Sequence, residues 1–205
     1  TGGLAVRMDL ADREGTAASV GSILEQVSQV DLLINNAGIA EGAPLSRTSD
    51  ALWDRILQVN AWGSLAMCRS FMPALAERGW GRVVNIASIA GLTGQAYTAA
   101  YCASKHALVG LTRALAVEFA RSGVTVNAVC PGWVETEMAQ EAIDRIVQST
   151  GRDEQAARAG LERQSPQGRM VDAAEVAALV AMLCREESRG IHGQAIPVDG
   201  GTLMR

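Results

Sequence analysis

Lys105 is the only lysine in a chain whose other basic side chains are arginines, and it stands four places after Tyr101, one of two tyrosines. On a helix, side chains at i and i+4 lie one above the other, so this spacing brings an ammonium to a phenol. A charge pair about 4 Å apart gains roughly 4 kcal/mol at an effective dielectric of about 20, enough to draw a tyrosine toward ionisation near neutral pH. A phenol so placed is a usable acid and base. Arginine would not replace Lys105, because a planar fork and a compact three-donor ammonium present different hydrogen bonds. The other tyrosine, Tyr97, has Tyr101 rather than a lysine at +4. Ser88 lies thirteen residues before Tyr101, at the end of the apolar run that begins at Val83.

The elements that position these residues alternate. The pattern predicts strands at 4–8, 31–35, 82–87, 124–129 and 195–198. It predicts helices at 13–29, 50–78 (bent near Pro73), 98–121 and 173–184, with a polar helix-forming segment at 138–163. Strands separated by helical crossovers make an α/β fold, a parallel sheet with helices on both faces. Ligands of such sheets collect outside the carboxyl ends of the strands. The stretches Asn35-Asn36-Ala37-Gly38, Ser88 and Pro131-Gly132 each fall just past a strand end, so they share one rim with the start of the helix carrying Tyr101 and Lys105.

Together with Val59-Asn60 and Pro131-Gly132-Trp133-Val134-Glu135-Thr136, these motifs make the chain resemble the short-chain dehydrogenase/reductase family from about Asp9 to Gly201. The resemblance implies a Rossmann-like, doubly wound sheet and a nicotinamide cofactor, NAD or NADP. It implies that Tyr101 gives or takes the proton of a carbonyl or alcohol oxygen, and that Lys105 lowers its pKa and holds the nicotinamide ribose. Ser88 would hydrogen-bond the reacting oxygen, and Asn60 would support a water relay behind Lys105. Asp9 and Leu10 match adenine contacts. Asn36, Ala37 and Gly38 match residues flanking the adenosine ribose, and Pro131, Gly132, Val134 and Thr136 match residues around the carboxamide. The family's glycine-rich phosphate loop and first β-α-β segment would precede Asp9, where only eight residues stand, so the reading favours a fragment of a longer polypeptide.

Length and composition fit one domain over residues 1–205, with 139–165 corresponding to the family's variable substrate lid. A net charge of −4 with no basic run argues against nucleic acid, and no apolar stretch approaches the ~20 residues of a membrane span. Four cysteines without C-x-x-C spacing and two histidines point to reduced thiols of a cytoplasmic protein, with no metal site expected. The pattern looks most like 3-oxoacyl-thioester reductases and 3-hydroxyacyl dehydrogenases. It also resembles 3-hydroxybutyrate dehydrogenases, but Ala90, Thr98 and Ala40 stand where those hold a carboxylate with histidine, lysine and glutamine, which speaks against a small free acid. The alternatives are the same chemistry on a polyketide, a diol or acetoin, or a steroid-like alcohol, or a truncated non-catalytic subunit. Apolar residues spread widely around helices 50–78 and 98–121, so a homo-oligomer, most simply a tetramer, is expected.

Overall fold

A computed structural model describes residues 3–204. Four strands, β1 (Leu32–Asn35), β2 (Gly81–Ile86), β3 (Val124–Pro131) and β4 (Ala195–Val198), pair in parallel in the order of the chain. Leu33 lies beside Val83 and Val83 beside Val126, so equivalent side chains form rows across the sheet. All eight positions of β3 are buried, which is why it reads as a mostly apolar run interrupted by Thr125 and Asn127.

Helices α1 (Arg13–Gln26), α3 (Gly63–Glu77) and α4 (Ala99–Glu118) cover one face, where Val20, Phe71, Met72, Leu75 and Ala116 pack on Leu33, Val83 and Val126. On the other face, α7 (Ala173–Leu183) brings Val176, Leu179 and Val180 onto Val84, Val129 and Ile196. The remaining helices are α2 (Asp50–Leu57), α5 (Glu137–Thr150) and α6 (Glu154–Glu162). The expected α/β sheet with helices on both faces is therefore present. Among the described residues no helix is long and apolar enough to cross a membrane.

Three sequence expectations are corrected. Residues 4–8 do not form a strand: their stretch runs beside α1, whose Ser19 hydroxyl bonds the Arg7 carbonyl while Thr16 bonds that of Asp9. Alternating apolar residues give a strand only where a neighbouring strand supplies the ladder. The long helix is interrupted at Gln58–Trp62 rather than at Pro73, which sits inside α3; there one turn widens so that the Gly63 amide reaches the Gln58 carbonyl. The segment 138–163 is two helices. Gly151 ends α5 at a left-handed φ of 71°, and the Asp153 side chain caps α6 through the Ala156 amide at 2.7 Å.

Candidate active site

The wide turn between α2 and α3 turns Asn60 into the interior, where it is 1% exposed. Single wide turns of this kind recur at functional positions. Its Oδ1 accepts the Ile39 amide at 2.9 Å, and its Nδ2 donates to the Ile39 carbonyl at 2.9 Å and to Ser104 Oγ at 3.0 Å. Ser104 Oγ in turn donates to the Tyr101 carbonyl at 2.7 Å. One amide thus clamps the loop after β1 onto the turn of α4 between Tyr101 and Lys105. Asn60→Ala leaves those groups unpaired in the interior and should lower stability by about 1–3 kcal/mol, read as a reduced midpoint in urea unfolding with an unchanged slope.

Lys105 is 4% exposed, and its Nζ donates to the Ile86 carbonyl at the end of β2 at 2.9 Å. Burial pulls its pKa from 10.5 down to about 8, with the nearby Cys130 thiol acting in the opposite direction. Its Nζ lies 5.7 Å from the centre of the Tyr101 ring. The expectation that Lys105 lowers the Tyr101 pKa is corrected: burial pushes the phenol up, a hydrogen bond with Ser88 lowers it, and Cys102 adds a smaller upward push. Desolvation of the buried phenol dominates, and the Lys105 ammonium is engaged by the Ile86 carbonyl.

Ser88 is 9% exposed and begins the short helical turn Ile89–Gly91, its Oγ accepting the Ala90 amide at 3.1 Å. The same hydroxyl lies 3.5 Å from the Pro131 carbonyl at the end of β3. Gly91 packs directly on α4: a Cβ there would lie 2.6 Å from the Lys105 carbonyl oxygen. Gly91→Ala should therefore displace α4 at Lys105, costing about 1–3 kcal/mol, and should lower activity together with the melting temperature.

The structure brings Gly38, Asn60, Ser88, Tyr101, Lys105 and Pro131 to one rim. A Cβ on Gly38 would lie 3.3 Å from Asn60 Oδ1 and 3.4 Å from Lys105 Nζ. Asn36 and Ala37, the two residues before it, are exposed. Gly132 donates its amide to the Val198 carbonyl at 3.0 Å, Val134 bridges to Val171, and Thr136 Oγ1 donates to the Val134 carbonyl at 3.2 Å. Asp9 and Leu10 stand apart in the turn leading into α1. Asp9 accepts the Ala11 amide at 2.9 Å, and the Leu10 carbonyl accepts Gln58 Nε2 at 3.1 Å, which joins them to the wide turn.

Sequence reasoning missed the buried polar row behind this rim. Asn35 Nδ2 donates to Asn85 Oδ1 at 2.8 Å, and Asn85 Nδ2 donates to Thr112 Oγ1 on α4 at 2.9 Å. An asparagine inside the apolar run Val83-Val84-Asn85-Ile86 was the available signal. It missed Ser104 as well. His192 accepts the Val126 amide at Nδ1 (3.1 Å) and lies 2.6 Å from the Ala116 carbonyl at Nε2, so it ties β3 to the end of α4. His106 sits 2.9 Å from the Cys102 carbonyl of its own helix, a structural contact.

A family model described as Enoyl-(Acyl carrier protein) reductase matches residues 1–202. The chain belongs to the short-chain dehydrogenase/reductase family. It is 38% identical over 176 residues to a D-beta-hydroxybutyrate dehydrogenase of Cupriavidus necator, covering 85% of this chain and 68% of the relative. It is 37% identical to a 3-oxoacyl-(acyl-carrier-protein) reductase of Salmonella typhimurium, covering 91% and 74%. Among solved structures, an actinorhodin polyketide ketoreductase variant with NADPH superposes with a TM-score of 0.90 at 38% identity, covering 95% of this chain and 76% of that one. As a short-chain dehydrogenase/reductase, the chain is an oxidoreductase that acts on CH–OH groups with NAD or NADP.

Proposed function

We propose that this chain interconverts a ketone and a secondary alcohol, with Tyr101, Ser88, Lys105 and Asn60 as the working groups and a 3-oxoacyl or 3-hydroxyacyl thioester as substrate. The observation that carries this reading is the buried Tyr101 phenol one helical turn before Lys105, whose Nζ lies 5.7 Å from the ring centre and donates to the Ile86 carbonyl at the end of β2. A phenol held protonated by burial is the form that gives a proton to a carbonyl oxygen. Ser88 donates a hydrogen bond to the same oxygen, and the Lys105 ammonium opposes the negative charge left on the phenol. Asn60 keeps the Gly38–Ile39 loop and α4 in register around that ammonium.

The cofactor fits the same rim. The missing side chain of Gly38 leaves room between Asn60 and Lys105, and the ammonium carries protons beyond the one directed at Ile86. Lys105 would hold the nicotinamide ribose, with Asn36, Ala37, Asp9 and Leu10 toward the adenosine and Pro131, Gly132, Val134 and Thr136 toward the carboxamide. The nicotinamide supplies the hydride. Water behind Lys105 would restore the proton.

Residues 139–165 act as a substrate lid on this single domain. A thioester is favoured over a free acid because Ala90, fully buried near Ser88, and Thr98 offer no cation for a carboxylate. Similarity to an acyl-carrier-protein reductase and to a polyketide ketoreductase supports an acyl chain on a carrier, with a polyketide as the second reading. A panel of 3-oxoacyl thioesters, their free acids and simple ketones with NADH and NADPH tests this. A kcat/KM for the thioester at least tenfold above the free acid is expected, and equal values would overturn the assignment.

We further propose a homo-oligomer of the cytoplasm. A groove of about 860 Å³ between the wide turn and α4, where Trp62, Leu65 and Leu111 are flanked by Arg13, Asp54 and Arg55, supports the pairing of these helices between subunits. Sedimentation as a dimer or tetramer at micromolar concentration is expected, and a monomer would contradict it.

A further inference from the structure

Residues 136–170 leave the sheet and return through a narrow neck. There the Glu135 amide bonds the Val171 carbonyl at 2.9 Å, and the Val171 amide bonds the Trp133 carbonyl at 2.8 Å. The excursion has its own apolar core, formed by Ala139, Ile143, Ala157, Leu161 and Met170, and Trp133 from the neck packs against it. The Trp133 indole N–H donates to Gln164 Oε1 at 3.1 Å, just beyond α6. One ion pair joins the neck to the far helix: Arg158 Nη1 on α6 lies 2.6 and 2.9 Å from the two carboxylate oxygens of Glu135. The other guanidinium nitrogen, Nη2, donates to Gln140 Oε1 on α5 at 3.3 Å. Arg158 therefore spans both helices and grips the residue between Val134 and Thr136.

We propose that Glu135 and Arg158 are positioning residues that latch α5 and α6 over the substrate side of the rim. This rests on the assignment of that segment as the lid. Two kinds of attachment with different strengths support it. The Trp133 contact is apolar and continuous with the lid core, so it acts as the pivot. The ion pair is partly exposed, its side chains 32% and 54% accessible, so it is weak enough to open and close while the pivot holds. Salt weakens such a pair, whereas it leaves the apolar pivot intact.

The test uses the whole enzyme with Glu135→Gln, Glu135→Asp, Arg158→Gln and the double variant Glu135→Gln/Arg158→Gln. The latch predicts that Glu135→Gln raises the KM for a 3-oxoacyl thioester by up to about fivefold, the range of an exposed ion pair, with kcat unchanged. It predicts faster amide hydrogen exchange across 137–162 with no change in β3. Glu135→Asp should recover part of both effects, and the double variant should fall clearly short of the product of the two single effects. Unchanged KM and unchanged exchange, or effects of the two substitutions that multiply, would overturn the latch. The exchange measurement stands apart from the chemistry: an enzyme that turns over no thioester but shows the exchange pattern keeps the latch and loses the substrate assignment.

Discussion

Tyr101→Phe should reduce kcat by about 10²–10⁴-fold while changing stability by only about 1 kcal/mol. The substitution removes a single oxygen. Ser88 keeps its bond from the Ala90 amide and its place against Pro131, so the rim remains built while the proton donor is lost. The phenol is pushed above its ordinary pKa by burial, so across neutral pH it is present as the donor needed for reduction of a ketone. The measurement is kcat with saturating thioester and NADPH, beside a thermal melt of the same variant. A variant with undiminished turnover would end the assignment of this tyrosine. A large loss accompanied by a collapsed melting temperature would make the residue structural.

Lys105→Met should lose most of its activity and yet be more stable. Lowering the lysine pKa from 10.5 to about 8 corresponds to about 3 kcal/mol against burying the charged form, and methionine fills the same channel without a charge. Loss of the bond to the Ile86 carbonyl returns part of this, leaving a net gain of about 1–2 kcal/mol at neutral pH. Activity should fall by about 10²–10³-fold, because the cation that opposes charge on the Tyr101 phenol is gone. The pH dependence has a definite sign. Between about 8 and 10.5 the unfolded chain holds a proton at Lys105 that the folded chain has released, so wild-type stability rises through this window, and the methionine variant should lack that rise. Over the same range kcat/KM for reduction should decline above pH about 8 as the ammonium is lost. A variant less stable than wild type by several kcal/mol would contradict the claim that this charge is held against a burial penalty.

Much of the rim was legible in the sequence because its parts sit where apolar runs stop. Asn36 to Gly38, Ser88 and Pro131-Gly132 each follow such a run, and a parallel sheet carries all three ends to one edge. The single lysine at helical spacing from Tyr101 was legible for the same local reason. The balance of forces on that pair was not: its sign depends on how deeply α4 buries Lys105 and on the Ile86 carbonyl that captures it, neither of which spacing reveals. The wide turn at Gln58–Trp62 was invisible because its residues read as ordinary helix, and its purpose appears only when Asn60 meets Ile39 and Ser104. The false strand at 4–8 shows the limit of alternation. The break between α5 and α6 is written in the sequence, since Gly151 followed by Asp153 is a helix stop and a new cap.

The most direct measurement is the fate of a labelled hydride. The enzyme is given a 3-oxoacyl thioester with NADH or NADPH carrying deuterium at the nicotinamide carbon that donates it, and the hydroxyacyl product is examined by mass spectrometry. One deuterium on the carbinol carbon, formed by wild type and at least about a hundredfold more slowly by Tyr101→Phe, is the result that a nicotinamide-dependent carbonyl reduction with Tyr101 as the proton donor predicts. Alcohol product without the label, or labelled product formed equally well by the phenylalanine variant, would contradict it.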